Sequence, residues 1–187
     1  TSATFKTTLT ATQGEAIHLP STTISYAISS ANEVILTDAG SDENVRIFAG
    51  PGSGVTIGGA TFSKDSTGSE TVNTTINFDR TQFAVPGIYR YQITPVLNDD
   101  QIELGIAPAS NDSLYLDVYV TSQAGETVVS NAVLFKAANA VSYSSQDKSI
   151  DYTTANKIDE IVFDYPTYTV TITNNVTGGL GSKTQPF

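Results

Sequence analysis

Short runs in which apolar and polar residues alternate recur along the chain and predict β-strands. In the first run, Phe5, Thr7 and Leu9 share one face, whereas Lys6 falls on the other. Eight further runs share this character, at residues 24–28, 45–48, 72–78, 87–94, 114–120, 128–135, 161–164 and 168–173. Clusters of Gly, Asn, Asp, Ser and Pro separate the runs, as is typical of turns between strands.

Helical periodicity is weak throughout the chain. The nearest approach is the segment 130–140, whose Val-Leu-Phe run favours a strand that continues into a loop. Short strands without intervening helices bury their apolar faces best as two stacked sheets. The pattern therefore predicts an all-β protein: an antiparallel Greek-key β-sandwich of immunoglobulin-like type. Three loop-rich segments, at residues 38–44, 49–59 and 137–156, are expected to extend from it as insertions.

Length and charge narrow the class of protein. The 187 residues, 39% of them hydrophobic, suffice for one domain or at most two small ones. The formal net charge of -10 disfavours nucleic acid and anionic membrane surfaces as partners. No apolar run approaches the roughly 18 residues of a spanning helix, so no membrane insertion is expected. The residues from Thr1 onward lack the regions of a signal peptide, which favours a mature or trimmed piece.

The composition also restricts the available chemistry. Cysteine is absent, which excludes disulfides, thiol nucleophiles and thiolate metal sites. The single histidine, His18, precedes Pro20 by two residues and is expected to lie exposed in a loop. The acidic stretch 98–103 lacks the spacing of a calcium loop and predicts a solvated hairpin turn. We therefore expect no metal and no cofactor.

Two further features are candidates for binding or catalytic sites. The glycine-rich stretch 50–59 has neither a GK[ST] ending nor a following helix, so a flexible loop is expected rather than a phosphate site. Tyr143 and Tyr152 are candidates for stacking on sugars, and packing in the interior or at an edge is the alternative. No pair among the 19 acidic residues is marked as a glycosidase pair. A non-catalytic role is predicted.

Several segments resemble a known family in order along the chain. INFDRTQFAVPGIYRYQIT, residues 76–94, is similar to the strand and P-G-x-Y-x-Y-x-I-T pattern of Gram-positive pilins. GIAPASNDSLYLDVYVT, residues 105–121, resembles the stretch that follows it there. YPTYTVTITNNVTGGLGSKTQPF, residues 165–187, looks like a junction between two pilin-type domains. The chain thus resembles the isopeptide-linkage domain of streptococcal backbone pilins and related surface adhesins of the collagen-adhesin B type.

The resemblance implies a structural or adhesive module, extracellular and anchored to the cell wall by sortase. Its implied partners are neighbouring domains or pilin subunits and a host or matrix ligand. It also implies residues 1–173 as the sandwich domain and 174–187 as a linker or the start of a following domain, with a frayed tail as the alternative. The alternative function is a carbohydrate- or ligand-binding module of a secreted multidomain protein.

The family's internal amide bond joins a first-strand lysine to an asparagine near the last strand, beside a buried glutamate. The corresponding positions in this chain hold Thr7, Pro95 and Asp164, while Lys6 faces the other way. The amine, the acid and the amide acceptor are all replaced. We therefore expect a fold held by packing and hydrogen bonds, without the covalent bond.

Overall fold

The computed structural model describes residues 1–13, 16–38, 40–152 and 157–167. Strands are the main regular structure within these ranges, and one short α-helix is present, α1 (Asp99–Glu103). The strands are β1 (Ser2–Ala11), β2 (Thr22–Ser30), β3 (Val34–Thr37), β4 (Asn44–Ala49), β5 (Val55–Ile57), β6 (Ala60–Phe62), β7 (Ser69–Phe78), β8 (Gly87–Val96), β9 (Ala107–Pro108), β10 (Leu114–Gln123), β11 (Glu126–Lys136), β12 (Val141–Ser144), β13 (Ser149–Tyr152) and β14 (Glu160–Tyr165). The all-β prediction is confirmed.

The strands form two main sheets and a hairpin. The five-stranded sheet has the order β5-β7-β1-β14-β9. The seven-stranded sheet has the order β11-β10-β8-β2-β6, with β4 also paired to β8 and β3 to β4. Most strand pairs are antiparallel, as predicted, whereas β1 runs parallel to β14 and β4 runs parallel to β8. The carbonyl of Arg90 accepts from both Ala31 (3.1 Å) and Gly50 (3.0 Å), where β2 and β4 meet the same edge of β8.

One core fills the space between the two sheets. Leu9 of β1 and Phe163 of β14, both 0% exposed, belong to the same cluster as Ile24 of β2 and Tyr91 of β8. Each fully buried apolar side chain of this kind stabilises the fold by about 1.5–3 kcal/mol. The alternation that predicted these strands is the pattern that directs such residues inward.

Three of the predicted loops contain regular structure. The segment 49–59 holds β5, and 137–156 holds the β12–β13 hairpin. The acidic stretch at 98–103 is α1 rather than a hairpin turn. Its N-terminus has a capping box. The backbone N–H of Gln101 donates to the Asn98 side chain, and the backbone N–H of Asn98 donates to the Gln101 side chain, at 2.9 Å each. These elements are too short to show a period in the sequence. The predicted strand at 168–173 and the segment 174–187 lie outside the described residues.

The glycine-rich stretch at 50–59 packs against a tyrosine. The Tyr91 hydroxyl donates to the carbonyl of Pro51 at 3.0 Å, and a Cβ placed on Gly50 would lie 2.3 Å from the Tyr91 ring. A Cβ on Gly54 would lie 2.6 Å from the same hydroxyl. The glycines therefore allow the backbone to approach a buried ring, and the expected flexible loop is corrected to a packed one.

Substitution of Gly50 by alanine should lower the free energy of unfolding by about 1–3 kcal/mol, the usual cost of overpacking. The added methyl group would overlap the Tyr91 ring, and that ring is fixed between the sheets. Gly52→Ala is the matched control, because a Cβ there meets nothing within 4 Å. Urea unfolding of both variants makes the comparison. Equal stability of the two would contradict the packing role of Gly50.

Candidate functional site

Thr7 lies in the interior of the sandwich, as the alternation of β1 predicts. It is 0% exposed, and Lys6 beside it is on the exposed face. The Thr7 hydroxyl is 2.8 Å from the Tyr26 hydroxyl and 2.7 Å from the Thr74 hydroxyl. β7 supplies Thr74 from the same sheet, and β2 supplies Tyr26 from the facing sheet. These three side chains, the hydroxyl cluster, therefore link the two sheets by hydrogen bonds.

Two aromatic rings flank the hydroxyl cluster. The Phe5 ring meets the Tyr26 ring edge-on at 5.5 Å between centroids, and the Phe163 ring does so at 6.4 Å. Burial raises the pKa of Tyr26 to about 12, although its hydrogen bond with Thr7 partly opposes the shift. The Tyr26 hydroxyl therefore stays protonated near neutral pH and can serve as a hydrogen-bond donor.

The three positions singled out by resemblance do not all meet at this cluster. Pro95 pairs in register with Tyr26, so it lies one strand away from the cluster within the seven-stranded sheet. Asp164 pairs with Thr10 and is half-buried, whereas its neighbour Phe163 is fully buried against Tyr26. Strand alternation thus sends Phe163 and not Asp164 inward, so the Asp164 carboxylate does not reach the hydroxyl cluster.

The chemistry of the hydroxyl cluster is non-covalent. An amide bond needs an amine and a carboxyl or carboxamide group, and the cluster contains three hydroxyls. A threonine hydroxyl becomes a nucleophile when a base accepts its proton, and the two partners of Thr7 are hydroxyls of weak basicity. What the arrangement provides is a buried, satisfied polar contact between the two sheets.

A second buried polar group lies on the other face of the seven-stranded sheet. The Arg90 guanidinium donates two hydrogen bonds to the Asp117 carboxylate, both at 2.7 Å, and the two residues are 1% and 0% exposed. The Phe135 ring lies 5.0 Å from the guanidinium carbon. Burial alone would lower the pKa of Arg90, but its hydrogen bonds with Asp117 and the Asp117 charge outweigh burial and raise it. The Arg90 guanidinium therefore keeps its charge.

The β12–β13 hairpin completes this ion-pair cluster. The Tyr152 hydroxyl donates to Asp117 at 2.6 Å and lies 2.8 Å from the Tyr119 hydroxyl. Burial and the Asp117 charge raise the pKa of Tyr152, so its hydroxyl remains a donor. Tyr152 is 4% exposed, so its ring has no free face for a sugar and its role as a candidate stacking residue is corrected. Tyr143 is half-buried on β12, and sugar binding there stays a prediction.

Comparison with known proteins gives one kind of match. No family model and no curated protein matches the chain. A mutant of the major pilin of Streptococcus pyogenes has a TM-score of 0.53 at 16% identity, over 88% of this chain and 50% of its own. The T-13 major pilin of the same species has a TM-score of 0.55 at 19% identity, over 87% of this chain and 51% of its own. The T3.2 major pilin of Streptococcus pyogenes has a TM-score of 0.58 at 15% identity, over 87% of this chain and 52% of its own. The chain has a pilin-like fold.

The likeness extends to the fold and to about half the length of those pilins. Within this pilin-like sandwich, the described residues hold no group of three or more His, Cys, Asp or Glu side chains that could bind a metal ion. No helix in the described part of the chain is long and apolar enough to cross a membrane. His18 is exposed, as predicted, with its ring nitrogen Nδ1 3.1 Å from the Lys64 carbonyl.

Two central residues of the pilin-like domain were missed by sequence reasoning, although a signal for them exists. Arg90 is the one charge in the run GIYRYQIT, and Asp117 is the one charge in the run LYLDVYV. An isolated charge inside each of two strand-like apolar runs, with opposite signs, is typical of a buried pair. Tyr26 and Thr74 carry no comparable signal, because hydroxyl-bearing residues are common along all the strands.

Tyrosine burial predicts loss of stability of the pilin-like domain at alkaline pH. Unfolded tyrosines ionise near pH 10, whereas burial raises the pKa of Tyr26 to about 12 and also raises that of Tyr91 and Tyr152. Stability is thus fully present below about pH 10 and falls above it, because only the unfolded state releases these protons readily. Urea unfolding at increasing pH should show the decline, with a shallower one in Tyr26→Phe. Ionisation of all nine tyrosines near pH 10 in the folded protein would refute the prediction.

Proposed function

We propose that this chain is a structural or adhesive module of a pilus-type surface protein of a Gram-positive bacterium, and not an enzyme. The observation that carries the proposal is the pilin-like sandwich, which is shared with three streptococcal major pilins over 87–88% of the chain. The ordered sequence motifs at 76–94 and 105–121 support it independently, since they lie on β7, β8 and β10 of that sandwich. The module works by presentation and by transmission of force, with no turnover.

In this proposal the sandwich withstands force without an internal covalent bond. The hydroxyl cluster occupies the place where the resemblance puts the reactive lysine, and its contacts at 2.7–2.8 Å join the sheets there. The ion-pair cluster fixes the β12–β13 hairpin to the opposite face of the seven-stranded sheet through the Tyr152 hydroxyl. Thr7, Thr74, Arg90 and Asp117 at the centres of these clusters are buried, so water competes poorly for their hydrogen bonds.

We further propose that residues 1–173 form the module and that residues 174–187 are a linker or the beginning of the next domain. The partners would be neighbouring domains or pilin subunits, with a host or matrix ligand bound by the assembled fibre. The full protein would be extracellular and anchored to the cell wall by sortase. The ordered resemblance in the sequence supports these finer statements.

Labelling of intact cells tests the surface assignment. Antiserum raised against residues 1–173 should stain unpermeabilised cells of the source organism. Muramidase digestion of their walls should release the antigen as high-mass species that withstand boiling in detergent, as sortase-linked polymers do. A strain that lacks the gene is the control. Antigen found only inside cells, or released as a single low-mass band, would contradict the proposal.

The absence of the internal bond is tested by intact-mass measurement. The purified chain should have the mass of its sequence, because Thr7 offers a hydroxyl in place of the amine. A deficit of one ammonia or one water, mapped to a peptide that contains Lys6 or Thr7, would overturn this expectation. If the mass is undiminished, the free energy of unfolding should be that of an ordinary domain, about 5–15 kcal/mol.

A further inference from the structure

A large cleft opens at the side of the sandwich. It has a volume of about 620 Å³ and is lined by parts of β8, β10 and β14, by the segment 109–113 and by Ile102 of α1. Cavities of a few hundred Å³ are the size at which proteins bind small molecules or short peptide segments. Neither the hydroxyl cluster nor the ion-pair cluster contributes a residue to this lining.

The cleft has apolar walls, and exposed apolar residues lie close to its lining residues along the chain. Ile93, Leu114 and Ile161 line it and also belong to the core, where they are 2%, 7% and 6% exposed. Ile102 at its border is 60% exposed, and Val96 and Leu104 nearby in the sequence are 47% and 42% exposed. The exposed Ile102 therefore extends the apolar lining to the border of the cleft.

Acidic groups surround these apolar walls. Asp112 and Glu160 line the cleft, and α1, which carries Ile102, also carries the exposed residues Asp99, Asp100 and Glu103. Among the described residues of the lining, Lys136 is the one cation, and its Nζ lies 3.2 Å from Asp112. The lining and α1 together therefore carry five carboxylates and one ammonium group, which would favour a cationic occupant and disfavour an anionic one.

The lining also distinguishes a peptide from a sugar. None of the described residues that line the cleft is aromatic, so the cleft offers no ring on which a pyranose could stack. Branched aliphatic walls instead suit branched aliphatic side chains, and the acidic border suits ammonium or guanidinium groups beside them.

We propose that this cleft docks an extended segment of a partner protein in which Val, Ile or Leu side chains alternate with Lys or Arg. The apolar side chains enter the cleft, and the cationic groups pair with the carboxylates of α1 and of its border. The proposal goes beyond surface display and stands whether or not the chain is a surface module. Failure of one would leave the other intact, because cell labelling and peptide binding measure different properties.

Peptide titration of the folded chain tests the docking site. The probe is the acetylated and amidated peptide KVTIKVTK, added to the isotope-labelled protein and followed by amide chemical shifts. Shifts should concentrate on 93–97, 102–104 and 158–162, with a dissociation constant in the range of about 10–1000 µM that weakens as salt is raised. EVTIEVTE, with the charges reversed, and KSTSKSTK, without the branched apolar groups, should bind at least about tenfold more weakly.

Matched variants locate the binding energy. Ile102→Ser should weaken binding by at least about fivefold, whereas Ile35→Ser should leave it unchanged, because Ile35 is equally exposed at 60% but lies on β3. Glu103→Lys should weaken binding, and Asp65→Lys, an exposed site outside the cleft, should not. All four positions are exposed, so the variants should fold, and measurement of their thermal unfolding tests this.

Several outcomes would overturn the proposal. Absence of shifts at millimolar peptide would do so, as would equal binding of the three peptides or shifts that map away from the cleft. If Ile35→Ser and Ile102→Ser weakened peptide binding equally, binding would not depend on Ile102 at the border of the cleft. Shifts at the cleft with neutral oligosaccharides but not with KVTIKVTK would assign it to a glycan instead.

Discussion

Replacement of Asp117 by asparagine should lower the free energy of unfolding by about 3–5 kcal/mol. The substitution keeps the size of the side chain but leaves the Arg90 guanidinium, 1% exposed, without a countercharge. It also weakens the acceptor of the Tyr152 hydroxyl, so the β12–β13 hairpin loses part of its attachment. Urea unfolding measures the loss, and hydrogen exchange in the hairpin should increase with it.

Two controls separate the effect of the buried charge from the effect of side-chain packing. Glu33→Gln removes one partner of the exposed Arg46–Glu33 pair and should cost no more than about 1 kcal/mol. The double variant Arg90→Met with Asp117→Leu fills the site with apolar groups and should recover most of the loss of the single variant. If Asp117→Asn costs as little as Glu33→Gln, the ion pair does not stabilise the hairpin as we infer.

Replacement of Phe163 by alanine should cost about 3–5 kcal/mol, the usual loss for a fully buried aromatic ring. The ring is 0% exposed and packs against Tyr26, so its removal leaves a cavity beside the hydroxyl cluster. In addition, the Thr7–Tyr26 hydrogen bond would lose part of its shelter from water.

Asp164→Ala is the matched control for this variant, since it changes the next residue of the same strand. Its side chain is half-buried and directed to the other face of β14, so the loss should stay below about 1 kcal/mol. A larger loss for Asp164→Ala than for Phe163→Ala would mean that Asp164, and not Phe163, occupies the inward-facing position of β14.

The long strands of the fold could be predicted from the sequence, and the short ones could not. β1, β7, β8 and β10 each have ten residues, which is enough alternation to be read from the sequence. β5 and β6 have three residues each, and the hairpin strands have four, so their apolar residues are indistinguishable from those of loops. The parallel pairing of β1 with β14 joins distant segments, which no local pattern encodes.

The candidate site could be predicted from the sequence only in part. The parity of β1 placed Thr7 inside and Lys6 outside, and both positions are confirmed. The partners of Thr7 depend on the register between strands and on the stacking of two sheets, and neither is contained in a single strand's pattern. The parity of β14 likewise directs Asp164 away from the interior, and the structure has Phe163 buried and Asp164 half-buried.

The pairing of the first strand with the last described one has a consequence for biosynthesis. During translation β1 leaves the ribosome before all of the other described strands, and its partner β14 follows after all of them. One edge of β1 thus remains open until Tyr165 has emerged, and contacts so distant in sequence are characteristic of slow folding. Completion of the five-stranded sheet is therefore a late step among the described strands, and until then the nascent chain has an unpaired strand edge that is open to pairing with other chains.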